Sequence, residues 1–192
     1  MKPRILGILD AGLNPLLTYH NREHTEDVLQ QAVRIAVSEN IQDSRSLLLI
    51  KIAALFHDIG FLDTYRAHEE RSCEIMLELL DTSQFDPAEI IIVNGMIMAT
   101  KIPQSPVSLS EMVICDADLD YLGRDDFPLI SNRLKVEFLA YHIINDEMEW
   151  DRLQVNFLEK HNYFTATSAH DRRLLKKHYL EMLKQQLLKQ KS

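Results

Sequence analysis

Leu47-Leu48-Leu49-Ile50-Lys51-Ile52-Ala53-Ala54-Leu55-Phe56-His57-Asp58-Ile59-Gly60 is the stretch on which the fold turns. From Leu47 to Phe56 it is apolar on nearly every side, interrupted only by Lys51. A helix of that character is packed on most of its faces, so it belongs at the centre of a helical fold. The run is far short of the roughly 20 apolar residues that a membrane span requires. At its end stand two ionisable side chains, His57 and Asp58, followed by a glycine that lets the chain turn. Burying such a pair is expensive without a partner, and a divalent cation is an efficient one.

Outward from this helix the spacing is helical almost everywhere. Val28, Leu29, Ala32, Val33, Ile35 and Ala36 form one apolar stripe; Ser72, Ile75, Met76, Leu79 and Leu80 form another. Asp86-Pro87-Ala88-Glu89 opens a helix with a cap, a first-turn proline and a carboxylate. Ser108 to Glu111 has capping-box spacing ahead of a helix over 112–122, with Gly123 expected as its left-handed stop. Asp126-Phe127-Pro128, Met148 to Leu158, and a segment from about Ser168 onward predict three more helices. Only 5 glycines and 6 prolines serve 192 residues, too few for the turns of a sandwich or barrel. The expectation is an all-α chain of about eight or nine helices, organised as one domain over 1–192.

Lys and Arg number 21 against 29 Asp and Glu, a formal charge of −8, which argues against nucleic acid as a partner. A basic C-terminal stretch with Arg172, Arg173, Lys176, Lys177, Lys184, Lys189 and Lys191 reads as a solvated helix face. That helix could pack on its own core or on a second copy, as a homodimer. The two cysteines, Cys73 and Cys115, are too few for a disulfide scaffold and read as small buried residues. Asp10 interrupts the short apolar N-terminal stretch, so no signal peptide is expected. A cytoplasmic location, with no membrane association, is the expectation.

Eight histidines are present, and those with company matter. Tyr19-His20-Asn21-Arg22-Glu23-His24-Thr25 leads into the first amphipathic stripe and offers His24. Cys115-Asp116-Ala117-Asp118-Leu119-Asp120 places three carboxylates in an apolar segment. At 100° per residue Asp116 and Asp120 share a face while Asp118 points away.

The order His, His-Asp, Asp on a helical chain resembles the HD superfamily of metal-dependent phosphohydrolases. The likeness rests on Tyr-His-Asn-x-x-His-Thr, Ala-Leu-Phe-His-Asp-Ile-Gly and the segment from Asp116, and covers about 17–124; helices 125–192 carry no motif of it. The resemblance implies one divalent metal (Mn, Fe, Ni, Co, Mg or Zn) held by His24, His57, Asp58 and Asp116, with Asp118 as the alternative fourth ligand. Relatives with two metals use further histidines; His68 stands at the first such position, but none lies near Met98-Ala99-Thr100, so a single metal is expected. His20 is expected to bond locally. Asp58 and His68 are the candidate catalytic residues, one orienting water and the other protonating the leaving oxygen. His68, Lys101 and Arg124 are candidate substrate contacts. The acidic pair of the guanosine-tetraphosphate hydrolases, the glutamate of the 5′-deoxynucleotidases and the Gly-Tyr-Pro motif of the cyclic-dinucleotide branch are all missing. What the resemblance leaves is hydrolysis of a phosphomonoester or phosphodiester of a small, nucleotide-like molecule by metal-activated water. The alternative is a catalytically idle nucleotide sensor that keeps the metal site.

Overall fold

In the computed structural model, which describes residues 1–190, the stretch from Ile52 to Gly60 is buried without a break, and Lys51 alone turns outward. The helix that carries it, α3 (Ser44–Phe56), begins where Asp43 accepts the Ser46 N–H at 2.7 Å. Around it pack α2 (Arg22–Ser38), α4 (His68–Leu79), α5 (Pro87–Ala99) and α6 (Leu109–Asp118). The N-terminal α1 (Lys2–Gly12) lays Ile5, Leu6 and Leu9 against the same core. Residues such as Ile50, Ile52 and Phe56 are wholly excluded from solvent. Each contributes roughly 1.5–3 kcal/mol by burial.

Three further helices, α7 (Phe127–Ala140), α8 (Glu147–Lys160) and α9 (Ala166–Gln190), follow in the C-terminal third. Among the described residues there are nine α-helices, three short 3-10 turns and no strand. A smaller apolar cluster of Tyr19, Leu119, Tyr121, Leu122, Phe127 and Leu158 joins these helices to the first part, with Tyr179 and Leu183 of α9 against it. No helix among the described residues is long and apolar enough to cross a membrane.

Several boundaries differ from the sequence-based expectation for physical reasons. The helix expected over 112–122 stops at Asp118, and a 3-10 turn (Asp120–Gly123) follows. No glycine has a positive φ, so neither Gly60 nor Gly123 acts through a left-handed backbone. Both are needed for close approach. A Cβ on Gly60 would stand 2.0 Å from the His68 carbonyl oxygen, and one on Gly123 would stand 2.3 Å from that of Arg172. These glycines let α4 seat against the turn at 59–62 and α9 against the turn at 120–123. Helix α9 starts two residues before Ser168, where the Thr165 hydroxyl accepts the Ser168 N–H at 3.2 Å. Its face is not uniformly solvated: Lys176 is buried and Arg172 pairs with Asp120, while Lys191 lies outside the described residues. Of the two free cysteines Cys115 is buried and Cys73 is half-buried.

Candidate metal centre

His24 sits in the first turn of α2, fixed there because the Asn21 side chain caps the helix by accepting the His24 N–H at 3.1 Å. His57 follows α3 directly. Its Nδ1 lies 3.0 Å from the Ala54 carbonyl oxygen, which only accepts, so Nδ1 carries the proton and Nε2 presents a lone pair. The chain turns at Asp58 into a 3-10 segment (Ile59–Leu62), which is pinned when the Gly60 N–H donates to Ser72 Oγ at 2.8 Å. Asp118 is the last residue of α6.

These four side chains converge. His24 Nε2 and His57 Nε2 are 3.3 Å apart, and each is 3.2 Å from Asp58 Oδ2. Asp118 Oδ1 lies 3.2 Å from His24 Nε2 and 3.8 Å from His57 Nε2. Donors placed about 2.0–2.2 Å from a common ion in a tetrahedron are separated by about 3.3–3.6 Å. His24, His57 and Asp58 offer donor atoms that all lie within 4.8 Å of one another, as a single cation requires, and Asp118 approaches this trio beside the two imidazoles.

Charge and hydrogen bonding agree with that fit. Asp58 Oδ2 is buried, its nearest polar neighbours are the two imidazole Nε2 atoms at 3.2 Å, and no backbone or hydroxyl donor reaches it. Burial opposes charge on His24, yet the Asp118 and Asp58 carboxylates outweigh it and push its pKa up to about 10. Burial also opposes ionisation of Asp58, but His57, His24 and His68 together hold its carboxyl well below the usual range. The pocket is built to take positive charge.

Asp116, the first choice for fourth ligand, is not part of this group. Its Oδ1 accepts the Phe164 N–H at 2.9 Å, and its Oδ2 accepts the Thr165 N–H at 2.8 Å and the Thr165 hydroxyl at 2.6 Å. Both oxygens are spent anchoring the α8–α9 connection. Asp118, on the opposite face, is the aspartate that meets the imidazoles. Asp120 is also turned away: Arg34 and Arg172 donate to its Oδ1 at 2.8 and 2.9 Å.

Two expected substrate contacts are occupied elsewhere. Arg124 grips Asp27 at 2.8 and 2.9 Å and Asp126 at 2.7 and 2.9 Å, so it ties α2 to the start of α7. Lys101 is half-buried and paired with the exposed Glu70, and it is not among the residues that line the cavity described below. His68 does stand beside the site, as the first residue of α4, with Nε2 3.4 Å from Asp58 Oδ1. Burial lowers its basicity, but Asp58 and Glu69 more than compensate and its pKa is raised.

A cavity of about 730 Å³ opens from this cluster. Asp58, His68, Glu69 and Asp118 form one end, with Thr100 and Gln104 beside them; Phe138, Trp150, Leu153 and Phe157 of α7 and α8 form an apolar wall. His20 also lines it, and its bond is long-range, not local: Nδ1 contacts Glu137 of α7. Glu137 is buried and further accepts the Tyr19 and His20 N–H groups at 2.9 and 3.0 Å and the Tyr65 hydroxyl at 3.0 Å. Phe61 stacks on the rings of both His20 and His68, with centroids 4.3 and 3.9 Å away, and the two imidazoles are 6.2 Å from each other. Partners this remote in sequence leave no local spacing signal, which is why Glu137 and the aromatic wall were not foreseen.

With this geometry established, similarity to known proteins becomes informative. The HD domain model matches residues 21–119, just over half of the chain, and spans the segments that carry His24, His57, Asp58 and Asp118. The chain belongs to the HD domain family. Its fold is similar to the crystal structure of a predicted HD superfamily hydrolase from an uncultured Thermotogales bacterium. The TM-score is 0.62 at 24% identity, covering 97% of this chain and 91% of that one. None of the functionally curated proteins compared matches the chain.

Proposed function

We propose that the chain is a metal-dependent phosphohydrolase that cleaves a phosphoester of a small, nucleotide-like molecule, with His24, His57, Asp58 and Asp118 holding one divalent cation. The observation that carries this reading is the four-donor cluster at the end of a cavity large enough for a drug-sized ligand. A cation bound there supplies Lewis acidity, making water more acidic near neutral pH and offsetting phosphate charge. The protein's own groups do the rest. His68 Nε2, 3.4 Å from Asp58 Oδ1, is placed to hold a proton at the rim of the cluster and pass it to a leaving oxygen. His20, oriented through Nδ1 by Glu137, is a second imidazole in the same wall with its other nitrogen available for that task. Which of the two donates is open to a direct comparison of His20→Gln and His68→Gln pH profiles.

The organic part of the substrate is read by the apolar wall. Trp150, Phe138 and Phe157 suit a flat ring, and Gln154, Asn156 and Asn162 offer donors and acceptors to its edges. Among the described lining residues Lys160 is the sole lysine or arginine, which favours a single phosphate over a polyphosphate chain. A chain with two unpaired thiols suits a reducing compartment such as the cytoplasm.

The test is turnover of a panel of nucleotide and non-nucleotide phosphoesters with Mn²⁺, Fe²⁺, Co²⁺, Ni²⁺ and Mg²⁺. His57→Ala and Asp58→Ala should lose at least about 100-fold of any activity found. Activity that persists in both variants contradicts the proposal, and tight nucleotide binding without turnover replaces it with the sensor reading.

A further inference from the structure

Glu69 and Glu70 both stand in the first turn of α4, where the helix dipole favours acids. Glu70 is exposed and pairs with Lys101. Glu69 is turned inward: its side chain is 9% exposed and the residue lines the cavity. A carboxylate buried to that degree normally has hydrogen-bond donors around it. Among the described residues Glu69 has none, and its ionic neighbour, His68 Nε2, is 3.6 Å away, beyond hydrogen-bonding distance. The same nitrogen is 3.4 Å from Asp58 Oδ1, so a single atom links the Glu69 carboxylate to the metal cluster. Neither Glu69 oxygen is sealed from water, in contrast to Asp58 Oδ2.

Neighbouring groups of the cavity wall are acceptors as well. The Thr100 hydroxyl donates to the Ile97 carbonyl at 2.7 Å, which leaves it only lone pairs to offer. Gln104 donates through Nε2 to the Cys115 carbonyl at 3.2 Å; a carbonyl only accepts, so the amide's orientation is fixed and Oε1 is left without a donor. A second phosphoryl group placed here would meet like charge and lone pairs. Adjacent hydroxyls would meet the acceptors they need, one for each oxygen of a carboxylate. We infer that Glu69, with Thr100 and Gln104, reads hydroxyl groups of the substrate, so that the ester hydrolysed is a monophosphate of a ribose-type sugar with its vicinal hydroxyls intact. The inference rests on the phosphohydrolase reading and narrows its substrate class. The metal cluster takes the phosphoryl group, the apolar wall takes the ring, and Glu69, beside the cluster, takes the sugar that joins the two. Glu69 is a specificity-determining residue and moves no proton in the reaction.

Isothermal titration of the Mn²⁺-loaded full-length protein tests this with the 5′-phosphonate analogues of adenosine and 2′,3′-dideoxyadenosine, whose carbon–phosphorus bonds are not hydrolysed. The expected result is at least about tenfold tighter binding of the analogue that keeps both hydroxyls, the scale of hydrogen bonds to a charged group. In Glu69→Gln that preference should fall to within about threefold, while inorganic pyrophosphate should bind at least about threefold tighter than to wild type, because a negative charge beside the phosphoryl site is gone. A purely structural role for Glu69, or one exerted through His68, would move both analogues together and leave their ratio unchanged. Circular dichroism and Mn²⁺ stoichiometry, both expected to match wild type, show that Glu69→Gln is folded and metal-bound. Equal affinities for the two analogues in the wild-type protein, or an undiminished preference in Glu69→Gln, overturn the inference and leave the phosphohydrolase reading standing. Failure of both analogues to bind the Mn²⁺-loaded protein overturns the nucleotide reading beneath it as well.

Discussion

Two carboxylates two residues apart, Asp118 and Asp120, end up in opposite circumstances. Asp120 is wholly buried and neutralised from within, by Arg34, Arg172 and, at 3.5 Å, Arg124. Asp118 and its neighbour Asp58 face imidazole nitrogens, and no arginine is among their ion-pair partners. The first arrangement closes its own charge balance and welds α2, the 3-10 turn and α9 together. The second leaves a negative, lone-pair-rich pocket that a foreign cation completes. Buried acids are therefore told apart by what surrounds them: guanidinium marks a structural joint, and converging imidazole lone pairs mark a ligand set.

The strongest way to break this contrast is to exchange the roles of the two faces of α6. Asp118→Asn should weaken Mn²⁺ binding by at least about 100-fold in equilibrium dialysis, and it should lower the Tm of the chelator-treated protein near pH 7, because His24 loses one of the two carboxylates that favour its charged form. Asp116→Asn should instead keep Mn²⁺ affinity within about threefold while costing roughly 1–3 kcal/mol in urea unfolding. Next in size is the self-neutralised cluster. Arg172→Met should cost about 1–3 kcal/mol, because Arg34 still holds Asp120, with Mn²⁺ stoichiometry unchanged.

The contrast also predicts a pH signature. His24 has a folded pKa near 10, above its unfolded value of about 6.5. Its stabilising contribution is complete below pH 6.5 and lost as pH rises through 10. The chelator-treated protein should lose roughly 5–10 °C of Tm between pH 7 and 10. Mn²⁺-saturated protein should show little of that decline, and Mn²⁺ affinity should rise with pH as the competing proton leaves. His161 has the opposite sign: with a folded pKa near 3, it costs stability as pH falls from 6.5 towards 3. The smallest effect belongs to Lys101→Ala, which should leave phosphate affinity and Tm indistinguishable from wild type, because its Glu70 partner is exposed.

Much of the architecture is legible in the amino-acid order because helix periodicity and capping are local. The apolar run ending at Phe56 does lie at the centre, and the Asp86-Pro87-Ala88-Glu89 start carries its capping box. The convergence of His24, His57 and Asp58 is legible from the two histidine-bearing motifs. The choice between Asp116 and Asp118 was not. Helical phase shows that they face opposite ways, but the direction that is inward depends on Phe164 and Thr165, nearly fifty residues later. The Glu137 anchor of His20, 117 residues away, and the Lys176–His161 pair across the α8–α9 connection were hidden for the same reason. Lys101 and Arg124 read as phosphate contacts because Glu70 and Asp27 are distant in the chain, although Arg124 also has Asp126, two residues on, as a nearby partner.

Crystals soaked in Mn²⁺ and recorded at the manganese absorption edge give the most direct view of the pocket. One anomalous peak per chain, about 2.0–2.2 Å from donor atoms of His24, His57, Asp58 and Asp118, is the predicted result. A peak bound by Asp116 or Asp120, or no peak beside His24 and His57 at saturating Mn²⁺, would contradict it.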